Sequence, residues 1–227
     1  MSSWWVVSVG ALGAVLGAGA AQSLRRAGYR LPDDEPRLPL TTPVDGIRPV
    51  WAGPTLLMTG VAVAGLGGVY ATLAARAGAL QLLPAALVFA LAGVWVAWID
   101  VDVHRIPNPV LAKAAPAVAV TGWVGAAAMG ECARIGTSVA AAAVLVVFYY
   151  LLAYFGDLGL GDVRLAGTAG LLLGVHGWSS VLRGTFAAFM IGGLAAVVLL
   201  AAGRRHTSDL AFGPAIVLGT LVAVVMA

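Results

Sequence analysis

The sequence predicts an all-α fold, a polytopic integral membrane bundle of about eight transmembrane helices. Three observations carry that expectation. The 227-residue chain is 61% hydrophobic and only 10% charged, where soluble domains carry roughly 25% charged residues. Apolar runs close to the ~20 residues that cross a bilayer recur along its whole length. The few basic residues fall mostly between those runs or at their edges. A soluble fold of this size would lack the charge to cover its surface. Continuous apolar runs without period-two alternation also favour helices over a barrel.

The runs are expected at 4–22, 54–75, 79–100, 109–129, 137–155, 162–176, 180–203 and 209–226, from hydropathy and from the glycines, prolines and charges that break them. No basic residue precedes the first run, so it reads as a retained span rather than a cleaved signal. Gly10, Gly13, Gly17 and Gly19 within it allow close helix packing. The longest polar stretch, 23–52, holds five arginines, four acids and several prolines, which favours an irregular or extended segment. The sixth run is short and rich in glycine, and a tilted or partly re-entrant helix is expected there. No soluble module is left over. Residues 1–227 are therefore expected to form a single membrane-embedded domain, with 23–52 as a short loop. Most of the seven tryptophans lie near span ends, as an aromatic belt requires.

With alternate loops on opposite sides, one side receives Arg25, Arg26, Arg30, Arg37, Arg48, Arg105, Lys113, Arg164, Arg204 and Arg205, and the other only Arg76, Arg134 and Arg183. The positive-inside rule puts the first set in the cytoplasm and both termini outside. These sparse cations read as topology signals, so the net charge of +3 implies no nucleic-acid partner. A single cysteine, Cys132, excludes an intramolecular disulfide and a multi-thiolate zinc site. Three histidines are too few for an evident metal centre, and none is expected. His104 reads as a solvated boundary residue and Asp157 as a turn or cap residue.

Acids near the hydrocarbon are costly and are functional candidates by default. Two places stand out. In the stretch from Trp98 to Pro109, a helix runs into Asp100, and Pro107 and Pro109 then stop it and set the next start. In Gly159-Leu160-Gly161-Asp162, the glycines allow close approach of other segments to the carboxylate. The expected topology brings both to the cytoplasmic boundary, where two carboxylates can converge. Such a pair shares a proton, so that one member takes a proton from water while the other donates one to a peptide carbonyl. The same acids would also serve a proton- or cation-coupled transporter. That alternative calls for paired repeats and acids near the midplane, and the sequence displays neither.

These segments resemble the signature of the type IV prepilin peptidases, membrane aspartic proteases of the GxGD class. The family has an aspartate six residues before an Ile/Leu-Pro-Asn/Asp triplet, matched by Asp100 with Ile106, Pro107 and Asn108. Its second motif is matched by Gly159, Leu160, Gly161, Asp162, Val163, Arg164 and Leu165, with arginine in place of lysine. Tyr29, Arg30, Leu31 and Pro32 after the first span, and Phe212, Gly213 and Pro214 opening the last, extend the likeness over nearly the whole chain.

The resemblance implies an inner-membrane, multi-pass endopeptidase that removes the leader of prepilins or pseudopilins at the cytoplasmic face. Asp100 and Asp162 would be the catalytic pair. Ile106, Pro107, Asn108, Gly159, Gly161 and Arg164 would support it, and Asp102 is a candidate substrate contact. The partners implied are a prepilin or pseudopilin helix and the bilayer. Members that also N-methylate the product carry cysteine pairs in a larger loop after the first span. The 23–52 loop has no cysteine and is short. Proteolysis is expected to need no cofactor, and S-adenosylmethionine enters only if methyl transfer is retained.

Overall fold

The structure, a computed structural model, describes residues 80–103, 106–156, 158–201 and 211–227, with Ser8, Ala11 and Val15 as isolated helical positions. Apart from those three positions, the expected spans 4–22 and 54–75, the loop 23–52, His104 and Asp157 lie outside the described residues. The chain divides into two units, and the elements below all belong to Tyr70–Ala227. A 3-10 turn, Leu80–Leu82, leads into α1 (Leu83–Val103), followed by α2 (Asn108–Ala128), α3 (Ala133–Phe155), α4 (Leu160–His176), α5 (Trp178–Ala201) and α6 (Gly213–Val225). No strand occurs among the described residues.

Each of the six later apolar runs thus contains a helix. α1, α2, α3 and α5 are long and apolar enough to cross a membrane, whereas α6, with 13 residues, is short. α3 begins at Ala133, earlier than hydropathy suggests. Its first turn is polar, and Arg134 is neutralised there by close contact with Glu131 and by donation to the Val175 carbonyl at 3.1 Å.

Burial along α1 follows the helical period: Phe89, Gly93, Val96 and Asp100 are all buried, at spacings of three and four residues that share one face. Asp100 therefore belongs to the inward stripe of a helix that carries no charge before it. α4 is different. From Asp162 to Gly170 every residue but Arg164 is buried, the pattern of a helix surrounded by others. It packs against α2, α3, α5 and α6, with a smaller contact to α1.

The closest packing is between α4 and the antiparallel α3. A Cβ on Gly170 would lie 2.6 Å from the Cα of Ala142, and one on Gly174 would lie 2.5 Å from the Cα of Ser138. Helix backbones meet here with no side chain between them, which only glycine permits. The Thr137 hydroxyl donates to the Gly174 carbonyl at 2.9 Å, and Ser138 donates to Leu171 at 2.8 Å. With Arg134 these bonds satisfy carbonyls in the last turns of α4, some of which a helix end leaves unpaired. Gly130 and Gly177, at φ of 74° and 101°, make the short turns between α2 and α3 and between α4 and α5.

Facing outward on α5 are Leu182, Phe186, Met190, Leu194 and Val198. Their spacing makes one continuous apolar face. An exposed apolar face of this kind suits lipid better than water.

Candidate active site

Local sequence explains how the two aspartates are presented. Asp100 ends the buried stripe of α1. After α1, Ile106 precedes Pro107, and the residue before a proline is driven out of helical conformation. Pro107 is extended, at φ −71° and ψ 115°, and α2 starts at Asn108 with Pro109 in its first turn. Ile106 is therefore held in a non-helical link. In the second motif Gly159 is extended, at φ −73° and ψ 145°, and its carbonyl accepts from the Asp162 N–H at 3.0 Å. Asp162 thus stands in the first turn of α4, where the helix dipole favours negative charge.

Both carboxylates are buried, at 6% exposure for Asp100 and 8% for Asp162. They lie within electrostatic reach of one another. Asp100 Oδ2 accepts a 2.9 Å hydrogen bond from the Gly213 N–H, the first residue of α6. Helix α6 has no side-chain cap of its own, so a carboxylate from α1 supplies one. Asp162 turns differently. Its Oδ2 approaches Gly159, with 3.4 Å left to a Cβ placed there. Its Oδ1 is buried and has no hydrogen-bond partner among the described residues.

Ile106 lies between the two motifs. A Cβ on Gly161 would fall 2.7 Å from the Ile106 Cβ, and a Cβ on Gly213 would fall 3.4 Å from the Ile106 Cδ1. The glycines beside both aspartates therefore border one side chain. On the exposed rim, Arg164 Nη1 donates in close contact to the Asn108 Oδ1, joining the proline-containing link to the first turn of α4. Asp102 lies in the last turn of α1.

Two neighbours of the site were not among the residues expected to support it. Gly213 was legible only as part of the Phe-Gly-Pro that opens the last run. Tyr149, at 2% exposure, is buried near Asp162. It belongs to an aromatic cluster with Phe148, Phe189 and Phe212. Tyr150 and Tyr154 are exposed at 53% and 73%. Among the described residues no three His, Cys, Asp or Glu side chains group as metal ligands.

The arrangement offers two carboxylates on different helices, one fixed by a backbone donor and the other with an uncommitted oxygen. Such a pair can exchange protons with a water and a carbonyl. The sequence model of the type IV leader peptidase family matches residues 87–201, a stretch that contains both motifs. No curated protein and no solved structure matches the chain. The match covers just over half of the sequence and spans α2 to α5 with most of α1, so the chain belongs to the type IV leader peptidase family, a family of prepilin-cleaving hydrolases.

Proposed function

We propose that this protein is a multi-pass inner-membrane aspartic endopeptidase that removes the leader of prepilins or pseudopilins at the cytoplasmic face. Residues 1–227 act in this reading as one membrane-embedded domain of about eight spans, and the distribution of arginines supports both termini outside. The observation that carries the reading is the pairing of buried Asp100 and Asp162 from separate helices within electrostatic reach.

In this mechanism one proton is shared between the two carboxylates. The ionised member removes a proton from water as its oxygen attacks the scissile carbonyl, and the protonated member donates to the carbonyl oxygen. Collapse of the tetrahedral intermediate breaks the C–N bond, and a proton passes to the leaving amine. The Gly213 N–H keeps Asp100 oriented as an acceptor, and Oδ1 of Asp162, buried and without a hydrogen-bond partner among the described residues, is the oxygen left to bond a water or substrate group admitted to the site. Substrate backbone must be extended at the cut for water to reach it, which a position at the helix ends permits. Proteolysis uses only these side chains and water. We assign no N-methylation, because the cysteine pairs of methylating members are absent from 23–52.

Co-expression with a prepilin encoded nearby tests the proposal, with cleavage read as a mobility shift. A shift with the wild-type protein supports it. Failure to cut any of several neighbouring prepilins would reject the substrate class.

Arg164 and Asn108 should act as one unit. Arg164→Ala and Asn108→Ala are each expected to lower cleavage by less than ~10-fold, because an exposed hydrogen bond contributes only about 1 kcal/mol. The double variant should lose no more than the worse single, as expected for residues in direct contact. Fully additive losses would mean that the two side chains serve separate ends.

A further inference from the structure

We propose that Ile106 is a positioning residue, a hydrophobic spacer whose side chain sets the separation of Asp100 and Asp162. The inference rests on the reading of these two acids as the catalytic pair. It starts from the two contacts of that side chain. On one side it meets Gly161, where even a methyl group would come within 2.7 Å of its Cβ. Asp162 is the next residue. On the other side its Cδ1 borders Gly213 more loosely, 3.4 Å from where a Cβ would stand, and the Gly213 N–H holds Asp100 at 2.9 Å. One branched side chain therefore braces the backbone beside each aspartate.

The brace is stiff for identifiable reasons. Isoleucine is branched at Cβ, so few χ1 rotamers are open to it. The following Pro107 restricts its backbone. Neither glycine carries a side chain that could yield in its place. The space beside Gly213 is bounded by Asp100 as well, since a Cβ there would lie 2.7 Å from Asp100 Oδ2. The starts of α4 and α6 thus meet at Ile106. Shortening it would let the start of α4 and the start of α6 settle toward each other and carry the carboxylates with them.

The separation of two acids that share a proton decides whether a water fits between them and the substrate. Misplacement by about 1 Å can cost ~100-fold in rate. A spacer acts on that distance without touching the reacting atoms. Its removal is therefore expected in kcat rather than in substrate binding.

The test compares Ile106→Ala with Ile106→Leu in membranes, beside wild type and Asp162→Asn. Ile106→Ala is expected to lower kcat by ~10-fold or more while KM stays within about twofold, as for loss of a transition-state requirement. Ile106→Leu, which refills the volume, is expected to restore most of the rate. A second arm needs no activity. With Cys132→Ser to remove the free thiol, the pair Asp100→Cys and Asp162→Cys is cross-linked by bifunctional thiol reagents of graded length. Ile106→Ala should shift the preferred length, and Ile106→Leu should not.

Unchanged kcat with unchanged cross-linking in Ile106→Ala would overturn the spacer role, and so would a loss carried by KM alone. If wild type cuts no prepilin the peptidase reading fails instead, and if Asp162→Asn stays active the catalytic-pair reading fails. The cross-linking arm then still decides the spacing: an unchanged length overturns it and a shifted length supports it. Should Ile106→Ala fail to accumulate, Ile106→Val takes its place with the same two readouts.

Discussion

Asp100→Asn and Asp162→Asn are each expected to reduce prepilin cleavage by at least ~100-fold, the lower end of what general acid–base catalysis contributes. Asparagine keeps the shape of the side chain and removes the proton that the pair must hold and pass. It also keeps an acceptor oxygen. In Asp100→Asn that oxygen can still receive the Gly213 N–H that the carboxylate receives at 2.9 Å, so α6 keeps its cap and the protein is expected to insert and accumulate. Asp100→Ala is a poorer probe, because it removes the cap along with the acid and leaves a buried donor without a partner. Cleavage of a co-expressed prepilin, scored at equal enzyme levels, checks the expectation. Full activity in either asparagine variant would overturn the two-carboxylate mechanism.

The largest structural effect is expected at Gly170. A Cβ there would lie 2.6 Å from the Cα, 2.8 Å from the nitrogen of Ala142 and 2.9 Å from the Ala141 carbonyl oxygen. All three atoms are backbone, so no side chain can rotate away and α3 and α4 must separate. Overpacking of this kind costs about 1–3 kcal/mol, which for a chain of this size corresponds to a fall in Tm of roughly 2–12 °C. Gly136 on α3 provides the contrast, because a Cβ there meets nothing within 4 Å. Gly136→Ala should leave Tm unchanged or raise it slightly, since alanine is favoured over glycine within a helix by up to about 1 kcal/mol. Thermal unfolding of the detergent-solubilised protein separates the two cases. Equal Tm values for Gly170→Ala and Gly136→Ala would show that α3 and α4 are not in backbone contact. Gly170→Ala should also lower cleavage, because Asp162 is carried on the same helix.

Much of the described architecture was legible from local pattern. Six apolar runs coincide with six helices because run length and breakers are properties of neighbouring residues. Pro107 and Pro109 marked the start of α2 for the same reason, since proline fixes its own φ and restricts the residue before it. The short, glycine-rich sixth run signalled something unusual, yet its place at the centre of the bundle was not evident. Glycines report that close approach is possible and say nothing of which helix approaches. The partner of Gly170 and Gly174 turned out to be the preceding helix, α3. Boundaries slipped where polar side chains are neutralised by tertiary contacts, as at Arg134.

The candidate site divides along the same line. The residue types and spacings of Asp100-Ile106-Pro107-Asn108 and Gly159-Gly161-Asp162 mark both acids and their family. These are one-dimensional facts, and the sequence by itself determined them, together with the all-helical class. The partners of those acids were decided only by the tertiary structure. Gly213 lies far along the chain from Asp100, and its donor is a backbone N–H, which no residue letter records. Ile106 reads in the sequence as one apolar residue in a motif. Only packing of the starts of α4 and α6 against it makes it the common neighbour of two glycines. Hydrophobic period and proline stiffness are local and survive in sequence, whereas hydrogen-bond partners and steric gaps arise between distant segments and exist only once the helices have assembled.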